Sequence, residues 1–195
     1  MKHRATSITK LVVNFAKKPL PKFLFLSDDQ RIKNPAQVIK GLGPNCGVIL
    51  RDYNNPNRTA LIKTVIKQAK QQQLSLFIAN SGDNVVRGAH NQHWPNTGRG
   101  GQRRHARHQI VTTSAHNLGD LGRANRLGVD AVLISPVFTT KSHPDKKPLN
   151  IHRFARFARL AKMPVYALGG ISAKSAKQLL QYKIAHGIAG ISLFK

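Results

Sequence analysis

The feature that most constrains this chain is an alternation: strand-sized apolar runs separated by amphipathic stretches, from Lys22 to the end. The runs read KFLFLSDD, CGVILRDY, LSLFIAN, QIVTTS, DAVLISPVF, MPVYAL and HGIAGISLF. A continuous apolar run this short suits a parallel strand covered on both faces. Between the runs, residues 58–73 place Leu61, Ile62, Val65, Ile66 and Ala69 on one helical face. Further helices are predicted over 36–42, 118–127, 151–161 and 173–182, and a brief fourth strand over 85–90. Eight strands in a chain of 195 residues predict a compact TIM (β/α)8 barrel over 22–195, truncated at its last helix. Residues 1–21 are expected to form a basic extension outside the repeat. An open doubly wound sheet would carry its glycine signature after the first strand, where SDDQ stands instead.

Charge narrows the partners. Thirty-two Lys+Arg against seven acids, all aspartates, give a net +25 and a pI near 11.4. Such an excess points to phosphorylated small molecules or to RNA. It is spread along the chain, with no long basic block, RNA-binding fingerprint or helix-turn-helix signature, so nucleic acid is the less favoured partner. Cys46 is the only cysteine, which excludes an internal disulfide, and its apolar setting reads as a buried structural thiol. The N-terminal MKHRATSITKLVVNFAKK lacks the apolar core of a secretory signal, and no run reaches the ~20 apolar residues of a membrane span. A cytoplasmic protein with no membrane contact is expected.

In a barrel, function sits where strands end in loops. Those ends carry Asp28 and Asp29; Arg51, Asp52 and Tyr53; Asn80 and Ser81; Thr113, Ser114 and His116; and Ser135, Thr139, Thr140, Lys141, Ser142 and His143. The last two carry Gly169 and Gly170, then Gly190, Ile191 and Ser192. Two glycines let the backbone approach a ligand closely, and Ser172 can cap a helix whose free N–H groups face it. The collection is cationic and rich in hydroxyls, which suits phosphates better than proton abstraction by a carboxylate. One stretch resists the repeat. NQHWPNTGRGGQRRHARH, residues 91–108, has no convincing metal-ligand spacing; it reads first as a plain solvated loop, and second as an anion-gripping flap with Arg99, Arg103 and Arg104 as grips.

ISPVFTTKSHPDKKPL (134–149), MPVYALGGIS and HGIAGIS together resemble the thiamine phosphate synthase family, which includes thiazole tautomerase relatives. TSAHN and CGVILRDY resemble the same family's fifth and second strands. The resemblance implies a TIM barrel that joins hydroxymethylpyrimidine pyrophosphate to thiazole phosphate and releases pyrophosphate with Mg2+. It implies that Gly169, Gly170, Ile191 and Ser192 hold the thiazole phosphate. Thr140, Ser142 and His143, the last where the family usually has lysine, would lie over the substrates, with His116 in the binding set. Arg51 and Asn80 would face the pyrophosphate. Departures are equally specific. Ile49 and Tyr53 replace polar family residues, and Ser81 replaces a magnesium-binding aspartate. AHNQHWPN keeps His90 and Gln92 as echoes but has no acid, leaving Asp28 and Asp29 to recruit Mg2+. Ser135-Pro136-Val137-Phe138 follows the synthase pattern rather than the tautomerase one. Three readings result: a synthase-like protein of thiamine biosynthesis with an eroded Mg-pyrophosphate end, a non-catalytic or altered member binding a phosphorylated thiazole-type ligand, and a basic RNA-associated protein on the same barrel.

Overall fold

The computed structural model describes residues 20–79, 91–94, 109–140, 146–182 and 185–194. Eight parallel strands close in chain order into a barrel: β1 (Phe23–Leu26), β2 (Cys46–Leu50), β3 (Ser75–Ala79), β4 (Asn91–Trp94), β5 (Val111–Ala115), β6 (Ala131–Ile134), β7 (Val165–Leu168) and β8 (Gly187–Gly190). The described helices are α1 (Pro35–Lys40), α2 (Arg58–Gln71), α3 (Leu118–Leu127), α4 (Asn150–Leu160) and α5 (Ala173–Tyr182). The chain divides into two compact units, one of Pro21–Val111 with Gly190–Lys195, the other containing Thr112–Ala189.

In the first unit the register aligns Leu26, Ile49, Phe77 and Asn91 across β1 to β4, so these four share one face. Their alternates Phe25, Val48, Leu50, Leu76 and Ile78 pack with Ile39 of α1 and Ile62, Val65 and Ala69 of α2. The first set therefore faces the barrel interior and the second the helices. The predicted apolar face of α2 is the buried one, with Leu61 and Ile66 at its edge. Each large aliphatic side chain buried there contributes roughly 1.5–3 kcal/mol.

Two strand predictions need correction. The fourth strand is Asn91–Trp94, at the head of the stretch expected to be a loop; residues 85–90, where a brief strand was expected, lie outside the described residues. Hydrophobic periodicity passed over NQHW because its interior positions are polar. Asn91 Oδ1 accepts the Ile110 N–H at 3.0 Å, and the Gln92 N–H reaches the Ile110 carbonyl at 2.9 Å. The eighth strand was expected to run to Phe194 but stops at Gly190, and Ser192–Phe194 form a single 3-10 turn. The cause is side-chain burial: Ile191 and Phe194 fold onto the helix-side core, Phe194 edge-on to Phe25 at 5.8 Å. The basic extension falls almost entirely outside the described residues; Leu20 accepts a bond from His186 Nε2 at 3.3 Å.

In the second unit Ala115, Ile134, Ala167 and Ile188 align on one face of β5 to β8, and Ser114, Leu133, Tyr166 and Gly187 on the other. α3 is capped by Asn117, whose Oδ1 accepts the Asp120 N–H at 2.9 Å, and stopped by Gly128 at φ 62°. α4 buries Phe154, Ala155, Phe157 and Ala158. α5 opens on Ser172, as predicted: its Oγ accepts the Ser175 N–H at 3.2 Å, and its own N–H donates to Ser175 Oγ at 2.7 Å.

Candidate functional site

β2 carries its apolar alternation to Leu50 and ends in Arg51-Asp52-Tyr53. Alternation sends Arg51 to the interior face of Ile49 and Asp52 to the helix-side face of Leu50. Asp52 is 2 % exposed and Ser27 fully buried, and the Ser27 hydroxyl donates to Asp52 Oδ2. Ser27 Oγ in turn accepts the Arg51 N–H at 2.8 Å. These bonds fix the backbone from which Arg51 projects.

The Arg51 guanidinium is then aimed by two acceptors. Nε donates to the Ser27 carbonyl at 2.9 Å and Nη2 to Asp28 Oδ2 at 3.2 Å. Nη1 has no protein partner among the described residues, and the side chain is 27 % exposed. Arg58, at the start of α2, ties the two strand ends together. Its Nη2 donates to the Ala79 carbonyl at 2.6 Å, its Nε to the Arg51 carbonyl at 3.4 Å, and it lies 5.8 Å from the Tyr53 ring centroid.

Burial governs the titration of this cluster. It lowers Arg51, with Asp28 pulling the other way, and raises Asp52 against the hydrogen bond from Ser27. It raises Tyr53, opposed by Arg51 and Arg58. His93 of β4 shares the interior face with Ala79 and is pushed down to about 3, first by burial and then by the Arg51 charge. The imidazole is therefore neutral at physiological pH.

The β7 end is built differently. Gly169 and Gly170 have φ of 92° and 67°, a region costly for other residues. The segment after β6 lies on this turn: the Val137 N–H donates to the Leu168 carbonyl at 2.9 Å and the Phe138 N–H to the Gly169 carbonyl at 3.0 Å. A Cβ at Gly169 would stand 2.9 Å from Pro136 Cα, and one at Gly170 would stand 2.7 Å from the Phe138 carbonyl carbon and collide with the Thr139 oxygen. The sequence motif SPVF and the motif GG are thus two sides of one backbone contact. The Gly170 and Ile171 N–H groups have no partner among the described residues and precede the first turn of α5.

The other predicted residues are distributed as follows. Asn80, Ser81, Ser142, His143, His90 and the arginines 99, 103 and 104 lie outside the described residues. His116 is exposed, its Nδ1 donating to the Ser135 carbonyl at 2.9 Å with Ser135 Oγ 3.1 Å away. Thr140 is half-buried after β6; Ile191 packs by its side chain onto the helix-side core, and Ser192 is exposed at the start of the final turn. Gln92 Oε1 accepts the Trp94 indole N–H at 2.9 Å. Sequence reasoning missed Ser27, Arg58 and His93. A carboxylate continuing the buried series Val48-Leu50-Asp52 was the signal for Ser27, since a buried acid needs a donor.

Mg2+ is the ion the family resemblance implies. Asp28 is occupied by Arg51 and by the Arg31 N–H at 3.2 Å, and Asp29 accepts the Asn54 N–H at 3.1 Å. Among the described residues no group of three His, Cys, Asp or Glu side chains could hold a metal. The described donor set does not fit a Mg2+ held by protein side chains alone. Nor is any described helix long and apolar enough to cross a membrane.

A family model described as thiamine monophosphate synthase matches residues 32–194. The "Putative thiamine-phosphate synthase 2" of Aquifex aeolicus is 42% identical over 86 residues, 44% of this chain and 45% of that protein. The thiamine-phosphate synthase of Latilactobacillus sakei is 31% identical over 123 residues, 62% of this chain and 52% of that protein. The chain spans about half the length of these curated relatives. A thiamine phosphate pyrophosphorylase structure from Pyrococcus furiosus aligns at TM-score 0.68 and 20% identity, over 88% of this chain and 85% of that one, a likeness of fold.

Proposed function

We propose a function from one premise: the chain belongs to the thiamine monophosphate synthase family. It is a thiamine phosphate synthase-like protein whose pyrophosphate-facing end relies on arginine. The observation that carries this reading is Arg51, oriented by Ser27 and Asp28 with an unpartnered Nη1 edge on the interior face of β2. In the condensation the bond between the pyrimidine methylene carbon and the pyrophosphate oxygen breaks, and the thiazole nitrogen forms the new bond to that carbon. The leaving pyrophosphate takes the electron pair, so the barrier depends on how well its added charge is met. A guanidinium already fixed in place reorganises little when that charge develops, and partial burial protects it from screening.

At the β7 end, the Gly170 and Ile171 amides would serve the thiazole phosphate, as backbone donors beside a helix start. By resemblance Gly169, Ile191 and Ser192 belong with the thiazole phosphate and His116 with the binding set, Thr140, Ser142 and His143 would lie over the substrates, and Asn80 would face the pyrophosphate. The positions of Asp28 and Asp29 favour a second reading, a member that binds a phosphorylated thiazole-type ligand with altered activity, because both carboxylates are already engaged.

The test is product formation from both substrates by purified protein, beside a Ser81→Asp variant, with calorimetry of thiazole phosphate. We expect thiazole phosphate to bind, and wild-type turnover to be weak and raised by Ser81→Asp in Mg2+. Thiazole phosphate binding without turnover in either protein selects the second reading. No binding of either substrate overturns both.

A further inference from the structure

We propose that the outer face of α4, with the α3–α4 junction, docks the phosphate backbone of nucleic acid. The inference is independent of the function proposed for the strand ends. α4 reads NIHRFARFARL and contains no acid; Arg153, Arg156 and Arg159 are exposed while Phe154 and Phe157 are buried beneath them. Three-residue spacing puts successive arginines about 4.5 Å apart along the axis, on neighbouring parts of one face.

The platform is held rigidly. Asn125 of α3 donates from Nδ2 to the Leu160 carbonyl at 3.0 Å, and its Oδ1 accepts the Lys162 N–H at 2.9 Å. This double clamp brings Arg126, next to Asn125 and exposed, toward the end of α4 where exposed Arg159 and Lys162 sit. None of these five cations is in an ion pair among the described residues. Asp120, at the other end of α3, is engaged by the His116 N–H at 2.9 Å.

Helix stability does not explain the pattern. A cation in the last turn of a helix is favourable, so Arg159 has a structural use, but Arg153 sits in the first turn, where the dipole opposes it. Arginine also differs from the lysines of α2, Lys63, Lys67 and Lys70, which are equally exposed. A guanidinium forks onto two phosphate oxygens, whereas an ammonium acts as a point charge. A membrane surface is a poorer partner. Binding one requires an apolar edge to insert, and α4 turns its aromatic side inward, exposing only Leu160. With Phe154 and Phe157 buried, the helix presents no Phe, Tyr or Trp ring for stacking, so binding would rest on the phosphates and be independent of sequence.

The experiment measures binding of a labelled uridine oligonucleotide of about twenty residues as salt is raised, since each phosphate contact to a single strand adds about 0.7 to the slope of log K against log salt. Two charge-matched variants are compared, R153Q/R156Q/R159Q and K63Q/K67Q/K70Q, both checked for unchanged thermal unfolding. The arginine variant should lose about 2 from the slope and at least tenfold in affinity at about 0.1 M salt, and the lysine variant less than threefold. Equal losses in the two variants would overturn the site. So would no binding at low salt, or binding to phosphatidylserine vesicles that oligonucleotide fails to displace.

Discussion

The ends of β2 and β7 offer donors to an anion in two different ways. At β7 the donors are backbone amides, and the glycines that expose them also admit the Pro136–Thr139 segment, so fold and site share the same atoms. At β2 the donor is one side chain, steered by Ser27 and Asp28, and the strand would form without it. A site made of backbone persists as long as the fold does. One made of side chains can change residue by residue. The difference sets the order of effects expected on substitution.

Gly170→Ala should have the largest effect on stability. It forces a Cβ to 2.7 Å from the Phe138 carbonyl carbon at a backbone φ of 67°. Strain and collision together should cost about 3 kcal/mol or more, a fall in Tm of roughly 6–12 °C. Gly170→Asp would meet the same collision, so charge repulsion alone cannot be read from it. A Gly170→Ala protein as stable as wild type would break the comparison.

At neutral pH the His93 effect is silent, and it enters only on acidification. Its folded-state value of about 3 lies below the unfolded 6.5, so the unfolded chain binds the proton first. Stability should therefore be full above about 6.5 and fall toward about 3, by up to ~1.4 kcal/mol per pH unit within that window. His93→Gln should flatten the acid limb in thermal scans, and the wild-type imidazole should show no NMR titration between pH 5 and 8. A titration there would contradict the burial argument.

Ser27→Ala should cost about 1–3 kcal/mol, because it leaves Asp52 and the Arg51 N–H without their shared partner. The smallest effect is expected for Asp52→Asn. Burial raises the Asp52 pKa above 3.8, so the folded state takes up a proton first as pH falls. That contribution rises on acidification and declines as pH climbs through the folded value, opposite in sign to His93. Asp52→Asn should remove it while still accepting the Ser27 hydroxyl. A loss of stability at neutral pH as large as that of Ser27→Ala would show that the charge itself is needed.

Much of this was legible in the sequence where one physical signal dominated. The bounds predicted for β7 and α5 coincide with the structure because Pro164, the paired glycines and the Ser172 cap punctuate an apolar run. β4 was missed because a barrel interior can accept Asn91 and His93, so no apolar period marks the strand. The anchoring of Arg51 was half legible: the residue was identified, but its steering by Ser27 spans 24 positions and depends on strand register. Nor could sequence reveal that Asp28 is taken up by Arg51. Alternation indicates which face a residue occupies, not which partner it meets there.

Arg51, rather than a protein-held metal, is proposed to meet the pyrophosphate. Calorimetry of inorganic pyrophosphate with wild type and Arg51→Gln, each with Mg2+ and with excess chelator, tests it most directly. Wild type should keep its affinity within about threefold in chelator, and Arg51→Gln should bind at least tenfold more weakly in both conditions, about 1.4 kcal/mol. Wild-type binding that disappears in chelator, with Arg51→Gln binding normally in Mg2+, would contradict it.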